Sequence, residues 1–201
     1  MNARLEAFCD GVFAIAITLL IIDVKLPSTE SLHTTRELWV ALKHLSPSFL
    51  VFLLSFTIIF ITWVNHHAVL KLVHKSSPRF IYANGLLLLT VVVVPFPTSL
   101  LGEFILTDHA APAVILYSSV FAMQALAWNF LGRTALNPSN PLTNNEKARL
   151  AMVAATRKSH YALTLYTIFA ILAIWFPLTI AIIVAASWIA WLIIGININE
   201  K

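Results

Sequence analysis

The stretch that decides the fold is RLEAFCDGVFAIAITLLIID, residues 4–23, an apolar segment with charged residues near both ends. An α-helix needs roughly 20 predominantly apolar residues to cross a bilayer, and Leu5–Val24 approaches that length. Asp10 interrupts the segment early, Asp23 and Lys25 follow it, and no small-residue cleavage site is evident, so it does not resemble a cleavable signal peptide. We therefore expect a first transmembrane helix that stays in the mature protein.

The remainder of the chain has the same apolar character. Of its 201 residues, 59% are hydrophobic and 11% are charged, whereas soluble domains carry about 25% charged residues. Together with a mean hydropathy of +0.85, this composition argues against a water-soluble fold. We predict an all-α integral membrane protein, one domain over residues 1–201, whose other five spans are Pro47–Val64, Phe80–Leu101, Ala111–Leu131, Ala162–Phe176 and Pro177–Ile196.

Prolines and polar stretches separate these spans. A single helix over Ala162–Ile196, at about 1.5 Å per residue, would overshoot a hydrocarbon core of about 30 Å. Pro177 lacks an N–H and disfavours helix in the residue before it, so we predict a tight hairpin there. The long polar stretch Arg133–His160 predicts a cytoplasmic loop, with turn-forming residues over Asn137–Pro141 followed by a charged segment, Glu146–Arg149, that could be helical. Pro95 and Pro97 are expected to kink or end the third span.

The basic residues predict the orientation in the membrane, because cytoplasmic loops are enriched in Lys and Arg. Placing both termini in the cytoplasm puts ten of the 13 basic residues inside: Arg4, Lys71, Lys75, Arg79, Arg133, Lys147, Arg149, Arg157, Lys158 and Lys201. Three remain outside: Lys25, Arg36 and Lys43. The membrane orientation thus accounts for the excess of basic residues behind the net charge of +4. We therefore do not infer a nucleic-acid partner from that charge.

Two charged residues of the first span need partners, because a charge inside a bilayer costs a few kcal/mol or more. Arg4 and Asp10 are six positions apart, about 120° around a helix, so they cannot face each other. We expect their partners at the same end of the second span, among Trp63, Asn65, His66 and His67. This cluster could be a structural hydrogen-bond network or a proton relay. Metal binding is disfavoured because adjacent histidines on a helix diverge by about 100°.

The first span carries a recognisable pattern in Arg4, Phe8, Asp10 and Phe13. It resembles the first-helix signature of the transmembrane protein 175 family, the endosomal and lysosomal potassium channels and their prokaryotic relatives. That signature reads Arg, three residues, Phe-Ser-Asp, two residues, Phe, and this chain has Cys9 at the serine position. Cysteine is a weaker hydrogen-bond donor than serine, which changes that one contact. We assign the signature residues and the polar end of the second span to one structural network: Arg4, Phe8, Cys9, Asp10, Phe13, Trp63, Asn65, His66 and His67.

The resemblance implies an assembly and a function. Animal members look like two six-span units in one polypeptide, whereas a single unit is similar to the prokaryotic form, which assembles as a homotetramer. It implies a potassium-permeable channel in a prokaryotic plasma membrane, with the lipid bilayer and monovalent cations as partners, potassium ions as the permeant species and no cofactor. In the family, the first helix lines a central pore and forms its hydrophobic constriction.

A helical wheel divides the first span into two faces, with Ile15, Leu19 and Ile22 within about 60° of one another and Cys9, Asp10 and Phe13 roughly opposite. An aliphatic stripe in an arbitrary membrane helix faces lipid; the resemblance instead makes Ile15, Leu19 and Ile22 the candidate constriction. Gly11 lies near the same face, where it would widen the pore.

Selectivity has to arise without a TVGYG loop, which this chain lacks. Thr18 is the candidate selectivity residue, because its hydroxyl can offer oxygen to a cation; the alternative is a bond back to the carbonyl four residues earlier. Asp23 is either part of a pore-mouth ring or a solvated charge at the helix end.

Two other functions remain open. A proton-coupled secondary transporter or a proton-permeable channel would use Asp10, His66 and His67 as protonation sites. A noncatalytic membrane scaffold would use the same residues only for folding. We do not expect an enzyme, because the chain contains no HExxH, GxSxG or P-loop motif.

Overall fold

A computed structural model describes residues 3–22, 24 and 33–199, with side chains described as far as Ile193. This part of the chain contains eight helices, and its only β-structure is an isolated bridge between Val73 and Thr143. The all-α prediction is therefore confirmed. The helices are α1 (Ala3–Leu19), α2 (Thr35–His44), α3 (Ser46–Lys71), α4 (Pro78–Val93), α5 (Pro95–Phe104), α6 (Ala110–Ala135), α7 (Glu146–Leu172) and α8 (Pro177–Asn199).

Among the described residues, three helical segments are long and apolar enough to cross a membrane: Ser46–Lys71, Pro78–Phe104 and Ala110–Ala135. The second of these is the α4–α5 pair, which breaks where Pro95 begins α5, as the two prolines predict. Pro177–Ile193 is a shorter apolar helix. The predicted break between the last two spans is also present, because α7 ends at Leu172 and α8 begins at Pro177.

The predicted loop over residues 133–160 is present but much shorter, since α6 continues to Ala135 and α7 already begins at Glu146. The Asn145 side chain accepts the backbone N–H of Ala148 and so caps α7. In the first turn, Arg149 donates two hydrogen bonds of 2.7 Å to Glu146. These bonds lower the pKa of Glu146 below its usual value. Local capping thus starts the helix well before its apolar half.

A further helix, which hydropathy does not reveal, lies between α1 and α3. Thr34 and Glu37 form a reciprocal capping box at the start of α2. The backbone N–H groups of His33 and Thr34 both donate to Glu37, and this lowers the pKa of its carboxyl group. No residue of α2 is buried in the chain.

The helices pack around a core in which α1 contacts α3 and α4, and α6 contacts α7 most extensively. The α6–α7 approach is close because Gly132 has no side chain: a Cβ there would collide with Thr156 Oγ1. Contacts between α1 and the end of α3, and between α7 and the end of α6, place these helix ends at one end of the bundle. We call it the basic end, because Lys71, Arg79 and Arg133 lie there.

The surface and the interior have the polarity of a protein built for a bilayer. Large apolar side chains such as Leu53, Leu89 and Ile182 are exposed on α3, α4 and α8. Polar side chains such as Asn84 and Gln124 are buried. Because the hydrocarbon core of a bilayer cannot hydrogen-bond with polar groups, membrane proteins turn such groups inward, and this bundle is accordingly a multi-pass membrane protein.

Candidate functional site on the first helix

One face of α1 is closed by the rest of the chain. Cys9, Phe13, Ala16 and Leu20 follow a spacing of four, three and four residues, which keeps them on one side of a helix. All four are at most 1% exposed and belong to the main core cluster. This face therefore fixes how α1 sits against α3 and α4.

Asp10 lies at the edge of this face and has a partner on α3. The Trp63 indole Nε1 donates to Asp10 Oδ1 at 2.8 Å, which joins two of the residues that the sequence places in one cluster. One turn towards the start of α1, Glu6 Oε1 lies 2.9 Å from His67 Nδ1, although the two groups are not aligned for a hydrogen bond. That contact becomes an ion pair only when the imidazole is protonated.

A second set of contacts joins α1 to both α3 and α4. His66 Nε2 lies 2.6 Å from Asn84 Oδ1, and Asn84 Nδ2 lies 3.1 Å from Cys9 Sγ. Because an amide oxygen only accepts, the imidazole carries its proton on Nε2 and donates to Asn84. Cys9 then acts as an acceptor, which a thiol does weakly. The Phe13 ring lies 5.3 Å from the His66 ring and covers this contact.

Sequence reasoning missed Asn84 and Glu6. Asn84 was visible as an amide within the apolar run of α4, and the rule that singled out Asp10 applies equally to it. Glu6 was visible as a second acid, four residues before Asp10 on the same helix. We call Glu6, Cys9, Asp10, Trp63, His66, His67 and Asn84 the α1 anchor.

Three residues assigned to this network from the sequence lie outside it. Phe8 is 62% exposed, because it is about 100° around the helix from buried Cys9. Asn65 is exposed for the same reason, since its neighbour His66 is the residue that faces the core. Arg4 is exposed at the start of α1. Within the described residues, no three His, Cys, Asp or Glu side chains are placed to hold a metal ion.

The opposite face of α1 is open and apolar. Ile15 is 58% exposed, Leu19 is 41% exposed and Ile22, just beyond the helix, is 71% exposed. Gly11 and Thr18 are exposed as well, and we call these five residues the open face. Asp23, the candidate pore-mouth residue, lies outside the described residues.

The Thr18 hydroxyl makes a contact with its own backbone. Its Oγ1 lies 3.0 Å from the carbonyl oxygen of Ala14 and 2.9 Å from that of Ile15. The bond to the carbonyl four residues earlier is therefore present. This bond uses the hydroxyl proton and leaves the lone pairs of Oγ1 directed away from the backbone. The same oxygen can therefore still coordinate a cation.

A second buried hydrogen-bond chain, at the other end of the bundle, was also not foreseen. Thr98 Oγ1 donates to Ser55 Oγ at 2.7 Å, and Ser55 Oγ lies 3.1 Å from the Tyr117 hydroxyl. These three residues tie α5 and α6 to α3. Ser55 and Tyr117 carried no signal in the sequence beyond being polar in apolar runs.

Comparisons with known proteins give matches both in sequence and in structure. A family model described as the endosomal/lysosomal potassium channel TMEM175 matches residues 4–95. A potassium channel of Chamaesiphon minutus is 38% identical over 187 residues, which cover 92% of this chain and 91% of that protein. A potassium channel of Streptomyces collinus is 43% identical over 131 residues, or 65% of this chain and 62% of that one.

The structural match is equally extensive. The crystal structure of a lysosomal potassium-selective channel TMEM175 homolog from Chamaesiphon minutus superposes with a TM-score of 0.80, at 35% identity, over 94% of this chain and 96% of that one. An animal relative from Gallus gallus, an endosomal/lysosomal proton channel TMEM175, is 32% identical over 132 residues. That match covers 63% of this chain and only 26% of the animal protein.

Proposed function

This chain belongs to the TMEM175 family, and from that premise we propose that it forms a potassium-permeable cation channel with α1 around a central pore. Family membership supports potassium as the permeant ion, since the bacterial relatives are named as potassium channels. We place the protein in a prokaryotic plasma membrane with both termini cytoplasmic.

One observation carries the pore part of the proposal, namely the contrast between the two faces of α1. The anchored face uses buried contacts to α3 and α4, so the orientation of α1 is fixed within one chain. The open face then presents Ile15, Leu19 and Ile22 outward in a fixed direction. Four copies related by a central axis would turn these side chains towards one another.

The chemistry of the open face suits a gate for cations. Rings of branched aliphatic side chains exclude water when they approach closely, and such constrictions close by dewetting. Thr18 lies between Ile15 and Leu19 along the helix and supplies an oxygen at that level. Gly11, one turn nearer the basic end, leaves space for a hydrated ion.

Potassium flux through purified protein in liposomes tests the function directly. We expect an imposed potassium gradient to dissipate faster in liposomes that contain the protein than in empty liposomes. The flux through a channel should keep rising with potassium concentration, whereas the flux through a carrier would reach a maximum. Reversal potentials in mixed potassium and sodium solutions give the selectivity. Flux equal to that of empty liposomes, from protein shown to be folded and oligomeric, would reject the channel.

Proton permeation is the second candidate, and one set of contacts favours it. Glu6 and Asp10 on α1 contact His67 and Trp63 on α3, so two acids and one imidazole lie near one another at the basic end. Acids and histidines within membrane helices carry protons in pumps and transporters. A pH-sensitive dye inside the same liposomes separates the two candidates, since a proton pathway through Asp10 is lost in Asp10→Asn while potassium flux persists.

A further inference from the structure

A cavity of about 430 Å³ lies between α3, α6, α7 and α8, away from both faces of α1. Small-molecule sites usually measure about 300–1,000 Å³, so this space is large enough for part of a ligand. It occupies the half of the bundle nearer the basic end. Nothing in the proposed pore uses it.

Small residues on one helix create the space. The face of α7 that lines the cavity carries Ala151, Ala154, Ala155 and Ala162. Another part of the wall is aromatic, with Phe121 4.8 Å and Tyr166 5.5 Å from Trp188 between ring centres. Most of the lining is therefore suited to hydrocarbon.

Two buried hydrogen-bond donors line this apolar space. Gln124 Nε2 and Trp188 Nε1 have no hydrogen-bond partner among the residues that the structure describes. Their residues are only 4% and 7% exposed. A buried donor without an acceptor is destabilising, so the pair points to an occupant that brings oxygen acceptors into the cavity.

The charge at the edge of the cavity specifies the occupant further. Lys158 lines the cavity and is exposed, and the lining contains no Asp or Glu. Asn65, Thr62 and Ser159 add further polar groups. An amphipathic molecule that has an anionic head, oxygen acceptors and a hydrocarbon tail matches these features.

We propose that this cavity binds an anionic phospholipid from the surrounding bilayer. The phosphate pairs with Lys158, an ester carbonyl accepts hydrogen bonds from Gln124 and Trp188, and an acyl chain lies against the alanine face of α7. A phospholipid is favoured over a soluble anion because the lining is mostly apolar and two of the lining helices, α3 and α6, are long and apolar enough to cross a membrane. A phospholipid is larger than the cavity, so the rest of the molecule stays in the bilayer.

Native mass spectrometry of the delipidated, full-length protein tests this site with phosphatidylglycerol as the probe and phosphatidylcholine as the neutral comparison. We expect tighter retention of phosphatidylglycerol, and about tenfold weaker binding in Lys158→Gln, as loss of one charge-assisted contact predicts. Arg157→Gln is the matched control, since Arg157 is the neighbouring exposed cation and does not line the cavity. Equal weakening in both variants would mean nonspecific attraction to a basic surface and would overturn the proposal.

Two further variants probe the interior of the cavity. Gln124→Leu keeps the size of the side chain and removes its donor, so it should weaken both phospholipids, while helix content by circular dichroism stays unchanged. Ala155→Phe should fill the space and weaken both lipids more strongly. Should Ala155→Phe fail to fold, Gln124→Leu decides the matter alone. Retention of lipid by Gln124→Leu at the wild-type level, or binding of free oleate in place of phosphatidylglycerol, would refute the assignment.

Discussion

The two faces of α1 have nearly the same hydropathy and opposite environments. The anchored face, through Cys9, Phe13, Ala16 and Leu20, is covered by α3 and α4, while the open face, with Ile15, Leu19 and Ile22, is exposed on the single chain. Both stripes repeat every three or four residues. The two faces differ in their polar contacts. On the anchored side, Asp10 accepts a hydrogen bond from Trp63, and Cys9 accepts one from Asn84. A few hydrogen bonds thus decide which apolar stripe turns inward.

The largest difference between the faces should appear in stability. Phe13→Ala opens a hole in the core, and losing a buried aromatic ring costs about 3–5 kcal/mol in proteins. Ile15→Ala on the open face should change the free energy of unfolding of one chain by about 0.5 kcal/mol or less. Unfolding by sodium dodecyl sulfate in mixed micelles measures both. Comparable losses would mean that the open face is also packed.

The anchor itself gives the next largest effect. Asp10→Ala leaves the Trp63 indole N–H without its acceptor, at a cost of about 1–3 kcal/mol. Asp10→Asn keeps an acceptor oxygen in place and should cost less than Asp10→Ala, since only the charge is lost. The same micelle titration compares them. If the asparagine variant is as unstable as the alanine variant, the charge matters more than the hydrogen bond.

Much of the anchor could be predicted from the sequence, and the reason is the cost of burying polar groups. Asp10, Trp63 and His66 stood out because few residues in an apolar run carry polar atoms. Asn84 and Glu6 carried the same signal and were overlooked. Phe8 and Asn65 were wrongly included because nearness in sequence does not fix the direction of a side chain on a helix, where one step turns it by about 100°.

The connections between helices were harder to predict than the spans. Apolar runs and prolines located the breaks at Pro95 and Pro177. Hydropathy was uninformative for α2 and for the first half of α7, because both are polar helices started by caps at Thr34 and Asn145. The cavity between α3, α6, α7 and α8 could not be foreseen, since it depends on which faces meet.

Ion flux tests whether the open face meets water. We expect Ile15→Asn to raise potassium flux by about tenfold, because a polar ring lowers the free-energy cost of wetting the constriction, and about 1.4 kcal/mol is sufficient for that factor. Ile182→Asn is the matched control, since Ile182 is an equally exposed isoleucine on α8. The same rise in both variants, or in neither, would contradict a pore at Ile15.

Selectivity should respond more modestly to Thr18. Thr18→Val keeps the shape and removes the oxygen, so the preference for potassium over sodium should fall by less than about tenfold, or 1.4 kcal/mol. Thr18→Ser keeps the hydroxyl and should retain the wild-type reversal potential. A purely structural bond to Ala14 predicts instead that selectivity stays constant in both variants while stability changes.

Gly11 gives the smallest effect and the sharpest contrast between folding and function. A Cβ added there meets nothing within 4 Å, whereas one added at Gly132 would collide with Thr156. Replacing an exposed helical glycine by alanine stabilises by about 1 kcal/mol at most, so Gly11→Ala should be slightly more stable than the wild type. If the open face lines the pore, four added methyl groups narrow it, and we expect potassium flux to fall by less than half. A variant that is more stable but conducts less would separate the role of α1 in folding from its role in lining the pore. Greater stability of the folded chain cannot by itself account for lower potassium flux.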